Sequence, residues 1–329
     1  FKNGFMPSAI VELNADMGED EAQDFIDDAV EKLTGAGDNS KILSAIESFQ
    51  PEIVFHLAAQ PLVRLSYREP VETYEINVMG TLHVLEGIRS VDSVRSAVMI
   101  TTDKCYQNKE WVWGYRETDT LGGHDPYSSS KGAAELLISS YRNSYFPQDK
   151  YSEHKTAIAS ARAGNVIGGG DWAEDRLIPD IIRAFQNNKE VVIRNPKSTR
   201  PWQHVLEPLS GYLKLAEQLE KNGDQYAEAW NFGPAEIDAR PVQWIIEKMA
   251  KLWGENANWI NDKSEHPHEA NYLKLDCSKA HMKLNWYPRW DLSETLLRIV
   301  EWHKLKDAHN NYRKLCLTQI NDYMGGINK

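Results

Sequence analysis

The chain has 329 residues, 41% hydrophobic and 10% aromatic, with a net charge of −11 and a pI near 5.4. That composition argues against disorder, allows one large core or two smaller ones, and disfavours nucleic acid or an anionic membrane as the main partner. No apolar run approaches the roughly 20 residues that span a bilayer, the opening residues lack the basic-then-apolar order of a signal peptide, and Cys105, Cys277 and Cys316 form no CxxC pair, so a cytoplasmic protein with reduced thiols is expected.

In chain order, residues 1–40 carry the weakest pattern, with helical apolar spacing at Phe25, Ile26, Ala29, Val30 and Leu33 inside DEAQDFIDDAVEKL. From Ile42 the pattern sharpens: SKILSAIESFQ reads as an amphipathic helix and EIVFHLAA as a buried strand. Residues 71–91 predict one long helix, and 96–102 (SAVMITT) a strand of the continuous apolar type that parallel sheets bury. Residues 126–146 predict a helix with Pro126 in its first turn, and 156–168 one further strand. This alternation predicts an α/β fold with a doubly wound parallel sheet. After Gly168 the segment GGGDWAEDRLIP reads as loop, followed by helices at 178–187, 206–221, 241–253 and 292–306 and short strands in EVVIRN and EAWNFG. The expected organisation is a dinucleotide-binding domain over 1–165 and a smaller mixed α/β substrate lobe over 166–329.

The chemistry centres on Tyr127 and Lys131 in the run YSSSK. Positions four apart share a helix face, so the ammonium can sit beside both the phenol and the ribose of a bound dinucleotide. A free phenol, with a pKa near 10, is a poor base at neutral pH, and a fixed cation favours its ionised form. On this reading Tyr127 takes a proton from a carbinol while hydride leaves its carbon. About 25 residues upstream a buried strand ends in Thr101-Thr102-Asp103-Lys104, and the ends of parallel strands are where such sheets bind ligands. Thr102 is placed to hydrogen-bond the carbinol or its ketone. The earlier strand ends in His56, Leu57, Ala58, Ala59 and Gln60, whose small residues let a cofactor approach the backbone. Asn77, in the helix that follows, is placed to orient a water or the catalytic Lys. Singly, His56, Asn77 and Thr102 read as ordinary core or cap residues, and a Tyr/Lys pair as a helix surface; their order along the chain points to a site. His204, His266 and His268 do not have metal-ligand spacing, so no metal is expected.

The motifs HLAAQ, NVMGT, TTDKCY, YSSSK and ARAGNVIGGGDW resemble the extended short-chain dehydrogenase/reductases that act on nucleotide sugars. KCYQNKEWVWGYRE, RPWQHVLEPLSGYL, WNFGP and HPHEANYLKLDCSKA resemble the CDP-glucose 4,6-dehydratase branch, and the likeness runs from about residue 42 to about 302. It implies a Rossmann-like fold, tightly held NAD, CDP-glucose or a related nucleotide sugar as substrate, a role in deoxysugar and O-antigen lipopolysaccharide biosynthesis, and a homodimer formed through helices 71–91 and 126–146. It implies that Tyr127 takes the proton of the sugar 4-hydroxyl and that Asp103 protonates the departing 6-hydroxyl; Lys104, where the dTDP-glucose relatives have Glu, can act as the C5 base if burial or nearby cations depress its pKa, and otherwise reads as a surface Lys in a loop. The candidate substrate residues are Asn165 and Arg200, with Arg194 and Tyr272 after them. Trp172 and Trp202 can stack on the base, wall the sugar, or belong to the core. Asn285 stands where the family has Gly and is expected to tolerate a left-handed helix end.

The chain departs from the family at its start. Phe1-Lys2 reads as if cut within the glycine-rich turn that receives the dinucleotide pyrophosphate, and residues 3–40 do not match. The expectation is a sheet without its first strand and weakened NAD affinity, with nucleotide-sugar binding less affected. Two other functions stay open at this stage: a sugar-nucleotide 4-epimerase or decarboxylase, which would lack the acid at Asp103, and a catalytically silent nucleotide-sugar-binding protein.

Overall fold

The structure is a computed structural model that describes residues 39–254, 257–262, 272–309 and 312–325. The helical pattern at 20–33 and the question of the first strand lie outside the described residues. The chain forms two compact units that are not contiguous stretches. The first holds the described residues up to Gln107, Glu117–Arg162 and Tyr212–Trp230; the second holds Asn108–Arg116, Ala163–Gly211 and the described residues from Asn231 onward.

In the first unit, β1 (Ile53–His56), β2 (Ser96–Ile100) and β3 (Ala157–Ala163) pair in parallel, with Val54 opposite Ala97 and Val98 opposite Ala159. The sheet order is β1-β2-β3-β7, where β7 (Ala229–Phe232) begins in this unit and runs on into the second. The helices of this part are α1 (Asn39–Phe49), α2 (Val63–Arg68), α3 (Pro70–Tyr74), α4 (Gly80–Arg89), α5 (Pro126–Ser144) and α6 (Tyr151–His154). The strands are apolar on both faces because both are covered. One face sets Val54, Ala97, Met99 and Ile158 against Val84, Leu85 and Ile88 of α4 and Ile138 of α5.

The single helix expected over 71–91 is interrupted. Between α3 and α4 lies a π turn, Glu75–Met79, and Asn77 within it is 1% exposed. One extra residue in the turn rotates this amide inward, a distortion common at functional sites. The strand expected over 156–168 is two strands: β3, and β4 (Asn165–Ile167) in a different sheet. Gly164 separates them. A Cβ there would lie 2.5 Å from Cγ and 2.7 Å from the carbonyl oxygen of Pro201, so only glycine lets those chains approach.

In the second unit, α7 (Leu177–Gln186), β5 (Val191–Ile193) and β6 (Thr199–His204) precede α8 (Leu206–Tyr226), which crosses into the first unit. Then come β8 (Ala239–Pro241), α9 (Val242–Trp253), β9 (Trp259–Asn261), α10 (Ser278–Leu284), α11 (Leu292–His309) and α12 (Tyr312–Gly325). A three-stranded sheet has the order β4-β6-β8, and β5 pairs with β9. The core joins α7, α9 and α11 through Ile181, Ile182, Ile245, Ile246, Leu296 and Ile299, all fully buried. Asn285 ends α10 with φ 47° and ψ 40°, the left-handed conformation its amide side chain tolerates.

Candidate active site

The helix that carries Tyr127 and Lys131 is set in place by its cap. Asp125 accepts hydrogen bonds from Ser128 N at 2.9 Å and Ser128 Oγ at 2.6 Å, and Pro126 occupies the first turn. This puts Tyr127 in the first turn and Lys131 in the second, 6% and 4% exposed. Tyr127 N also donates to Ser66 Oγ at 3.1 Å, tying α5 to α2. Gly132 lies against the turn after β2: a Cβ there would stand 3.4 Å from the Cys105 carbonyl oxygen.

That turn is a short 3-10 helix, Asp103–Cys105, capped by Thr102, whose Oγ1 accepts from Lys104 N at 3.4 Å. Asp103 is fully buried. Its Oδ1 accepts from Thr102 Oγ1 at 3.0 Å and from Lys104 Nζ at 3.1 Å, while its buried Oδ2 has no hydrogen-bond partner among the described residues. Asp103 and its neighbour Lys104 form an ion pair.

At the end of β1, His56 is buried with Nε2 3.1 Å from Thr81 Oγ1. Burial, reinforced by the Lys131 charge, lowers its pKa to about 3, so the ring is neutral at physiological pH. Ala58 and Ala59 are half-buried beyond the strand end. Gln60 and Asn77, both expected at the cofactor and Asn77 also to orient a water or the catalytic Lys, hydrogen-bond each other. Asn77 Oδ1 accepts from Gln60 N at 2.8 Å, and Nδ2 donates to Gln60 O at 3.0 Å and Ser130 Oγ at 2.9 Å. The Gln60 amide nitrogen donates to Thr73 Oγ1 at 2.8 Å. Both residues hold the loop after β1 to α3, the π turn and α5. Lys131 makes no hydrogen bond among the described residues; burial lowers its pKa to about 8, with Glu135 working against that.

The substrate candidates all lie in the second unit. Asn165 on β4 pairs in register with Trp202 on β6, and Arg200 stands two positions earlier on that strand, opposite Arg240 on β8. Tyr272 bridges Thr199, so Asn165, Arg200 and Tyr272 gather around β6. Arg194 follows β5 instead, with Nη1 3.5 Å from Asp175 in the loop after β4. In that loop Arg176 pairs with Asp171 at 2.9 Å, a cation the sequence reading passed over. Trp202 is core, 4% exposed, whereas Trp172 is 47% exposed against Trp302 and His303. His204 is buried, its Nδ1 accepting from Leu206 N at 3.2 Å and its pKa lowered to about 4 chiefly by burial; His266 and His268 lie outside the described residues.

Sequence reasoning missed the polar layer behind the site: Ser66, Thr73, Thr101, Ser130, Glu135, Ser160 and Arg162, all buried. One signal was readable, since Tyr127, Lys131 and Glu135 follow at steps of four along one face of α5.

A parallel sheet with a Tyr/Lys helix beside a Thr-Asp-Lys strand end defines a Rossmann-like protein of the short-chain dehydrogenase/reductase class. The sequence matches the GDP-mannose 4,6 dehydratase family over residues 30–299, and the chain belongs to that family. It is 57% identical over 292 residues to CDP-glucose 4,6-dehydratase of Salmonella typhimurium, covering 89% of this chain and 81% of the relative. To mouse dTDP-D-glucose 4,6-dehydratase it is 27% identical over 271 residues, covering 82% and 72%. Among solved structures, UDP-glucose 4-epimerase of Thermotoga maritima with UDP-glucose superposes with a TM-score of 0.70 at 22% identity, covering 82% of each chain. The dTDP-glucose 4,6-dehydratase of Bacillus anthracis in complex with NAD gives 0.66 at 18% identity, covering 85% of this chain and 80% of that one.

Proposed function

We propose that this chain is an NAD-dependent nucleotide-sugar 4,6-dehydratase whose substrate is CDP-glucose and whose product is CDP-4-keto-6-deoxyglucose. The observation that carries this reading is the strand end with buried Thr102 and Asp103 and half-buried Lys104, packed on the helix of Tyr127 and Lys131, in a chain 57% identical to a CDP-glucose 4,6-dehydratase.

The described residues fit the ribose end of NAD. Lys131 is a buried ammonium without a hydrogen bond among the described residues, suited to a diol, and Ala58 and Ala59 leave the end of β1 open. NAD, when bound, supplies the hydride acceptor and donor for the sugar. Tyr127 takes the proton of the 4-hydroxyl, and the Lys131 ammonium offsets the charge of the phenolate. Thr102 holds the 4-oxygen. The resulting ketone acidifies C5, and Lys104 takes that proton. Asp103 delivers a proton to the departing 6-hydroxyl; its 3.1 Å contact with Lys104 lets a proton pass between the two groups. Arg200, with Asn165 and Tyr272 beside it, binds the nucleotide sugar, the guanidinium fork matching a pyrophosphate. Arg194 is a further cation for the same anion. The acid at Asp103 favours dehydration over epimerisation. The protein acts as a homodimer in the cytoplasm; no helix among the described residues is long and apolar enough to cross a membrane.

Incubation of the chain with NAD and, separately, CDP-, dTDP-, UDP- and GDP-activated hexoses tests the proposal. A 4-keto-6-deoxy product formed from CDP-glucose with the highest kcat/KM is expected. Preference for another nucleotide overturns the substrate, and a 4-epimer overturns the reaction.

A further inference from the structure

Behind the catalytic residues lies a charge pair that the reaction as written does not use. Glu135 stands one turn beyond Lys131 on α5 and is 2% exposed. Its Oε2 accepts from Arg162 Nη2 and Ser160 Oγ, at 2.7 Å and 2.8 Å, and its Oε1 from Thr101 Oγ1. Arg162, 3% exposed on β3, also donates through Nη1 to Tyr106 Oη at 2.8 Å and Glu117 O at 3.0 Å. One carboxylate therefore joins three elements: the helix of Tyr127 and Lys131, the end of β2 immediately before Thr102, and β3.

We propose that Glu135, neutralised by Arg162, is a positioning residue of this active site: it holds the strand end that carries Thr102 and sets the proton affinity of Lys131. The inference rests on the reading of Lys131 as the ammonium that serves the cofactor ribose and Tyr127. The groups that face Lys131 are Tyr127 and Glu135 on its own helix, neutral His56 at the end of β1, and Cys105 in the turn after β2. Glu135 in turn faces Arg162 from β3 and Arg142 from α5.

Burial opposes the ionisation of Glu135, but the Arg162 charge and the hydroxyl donors outweigh it and hold the carboxyl below its ordinary range. The same burial lowers Lys131, and the Glu135 charge limits the fall. Removing the carboxylate withdraws that support and leaves Arg162 as an unshielded cation nearby. Both changes act in one direction, toward a less basic Lys131.

The test is an NMR titration of the protein labelled with 13C at lysine Cε, with the Lys131 signal assigned from Lys131→Arg. It needs neither NAD nor turnover, so it decides the inference even where the proposed reaction fails. In Glu135→Gln the Lys131 pKa should fall by about one unit or more. A folded Glu135→Gln with the wild-type Lys131 pKa overturns the proposal, because a merely structural carboxylate leaves that value unmoved. Should the single variant fail to fold, the double variant Glu135→Gln/Arg162→Met decides, since it leaves no unpaired buried charge. It should still lower the Lys131 pKa, though by less because no unshielded cation remains, while amide exchange at Thr101–Asp103 rises about 10-fold, a weakening of roughly one hydrogen bond. A wild-type Lys131 pKa in this variant, or exchange at the wild-type rate, overturns the proposal.

Discussion

Asn77→Ala is the sharpest test of how this site is held together. The amide makes three hydrogen bonds, two to the backbone of Gln60 and one to Ser130 Oγ. Alanine removes all three at once. The Ser130 hydroxyl keeps its bond to the Tyr127 carbonyl at 2.7 Å, so its loss is partial. The N–H and C=O of Gln60, a residue 6% exposed, are left without partners. An orphaned buried polar group costs about 1–3 kcal/mol, so with two of them the loop after β1 should lose about 2–6 kcal/mol of local stability. A chain of two units need not unfold in one transition, so the local quantity is the one to measure. Hydrogen exchange followed by mass spectrometry on peptides covering 56–66 should quicken at least about 30-fold, the equivalent of 2 kcal/mol. Peptides from α9 and α11 in the second unit should be unchanged. Acceleration of less than about 3-fold in 56–66, under 1 kcal/mol, would refute the claim that this amide holds the loop to the catalytic helix.

Tyr127→Phe removes one hydroxyl and should lower 4-ketone formation from CDP-glucose by about 100- to 10,000-fold, with the circular dichroism spectrum unchanged; near-wild-type turnover removes Tyr127 from the mechanism. Asp103→Asn should let deuterium enter C5 while the 6-deoxy product stops accumulating, and dehydration at the normal rate places the acid elsewhere. Because burial lowers Lys131 to about 8, activity that needs its ammonium should fall through an alkaline limb near that pH. The unfolded chain keeps this proton up to about 10.5, so between about 8 and 10.5 the unfolded state binds more protons and the Lys131 contribution to stability rises with pH while activity falls; a kcat–pH profile with no limb below pH 10 contradicts this. His56 runs the same way at acid pH: with a folded pKa of about 3 against 6.5 unfolded, its neutral burial is fully tolerated above 6.5 and costs stability as pH drops toward 3. His56→Gln removes that titration, so the loss of stability measured over this range by amide exchange of β1 should become shallower, and an unchanged slope counts against the assignment.

Local pattern was enough to read β1, β2 and the shared helix face of Tyr127 and Lys131. The apolar runs IVFH and SAVMI became parallel strands because a sheet covered on both faces accepts no alternation. The spacing of Tyr127 and Lys131 reported a shared helix face directly, and Asn285 announced its left-handed helix end by residue type. These features depend on neighbours a few positions apart, so the residues alone determine them. The π turn that aims Asn77 inward, the lock between Gln60 and Asn77, and the chain break at Gly164 were not legible, because each is set by a partner distant in sequence. Trp202 could be core or ligand wall from its type alone; packing placed it in the core of the second unit. Glu135 and Arg162 lie 27 residues apart, and nothing local marks them as a pair. They meet because α5 lies on β3, and the low dielectric there makes an unpaired charge too costly to leave. Sequence thus determined which polar groups stand at the end of β2 and along one face of α5, and tertiary structure decided which groups hold them, since a buried polar atom must be satisfied by whatever the fold brings within about 3 Å.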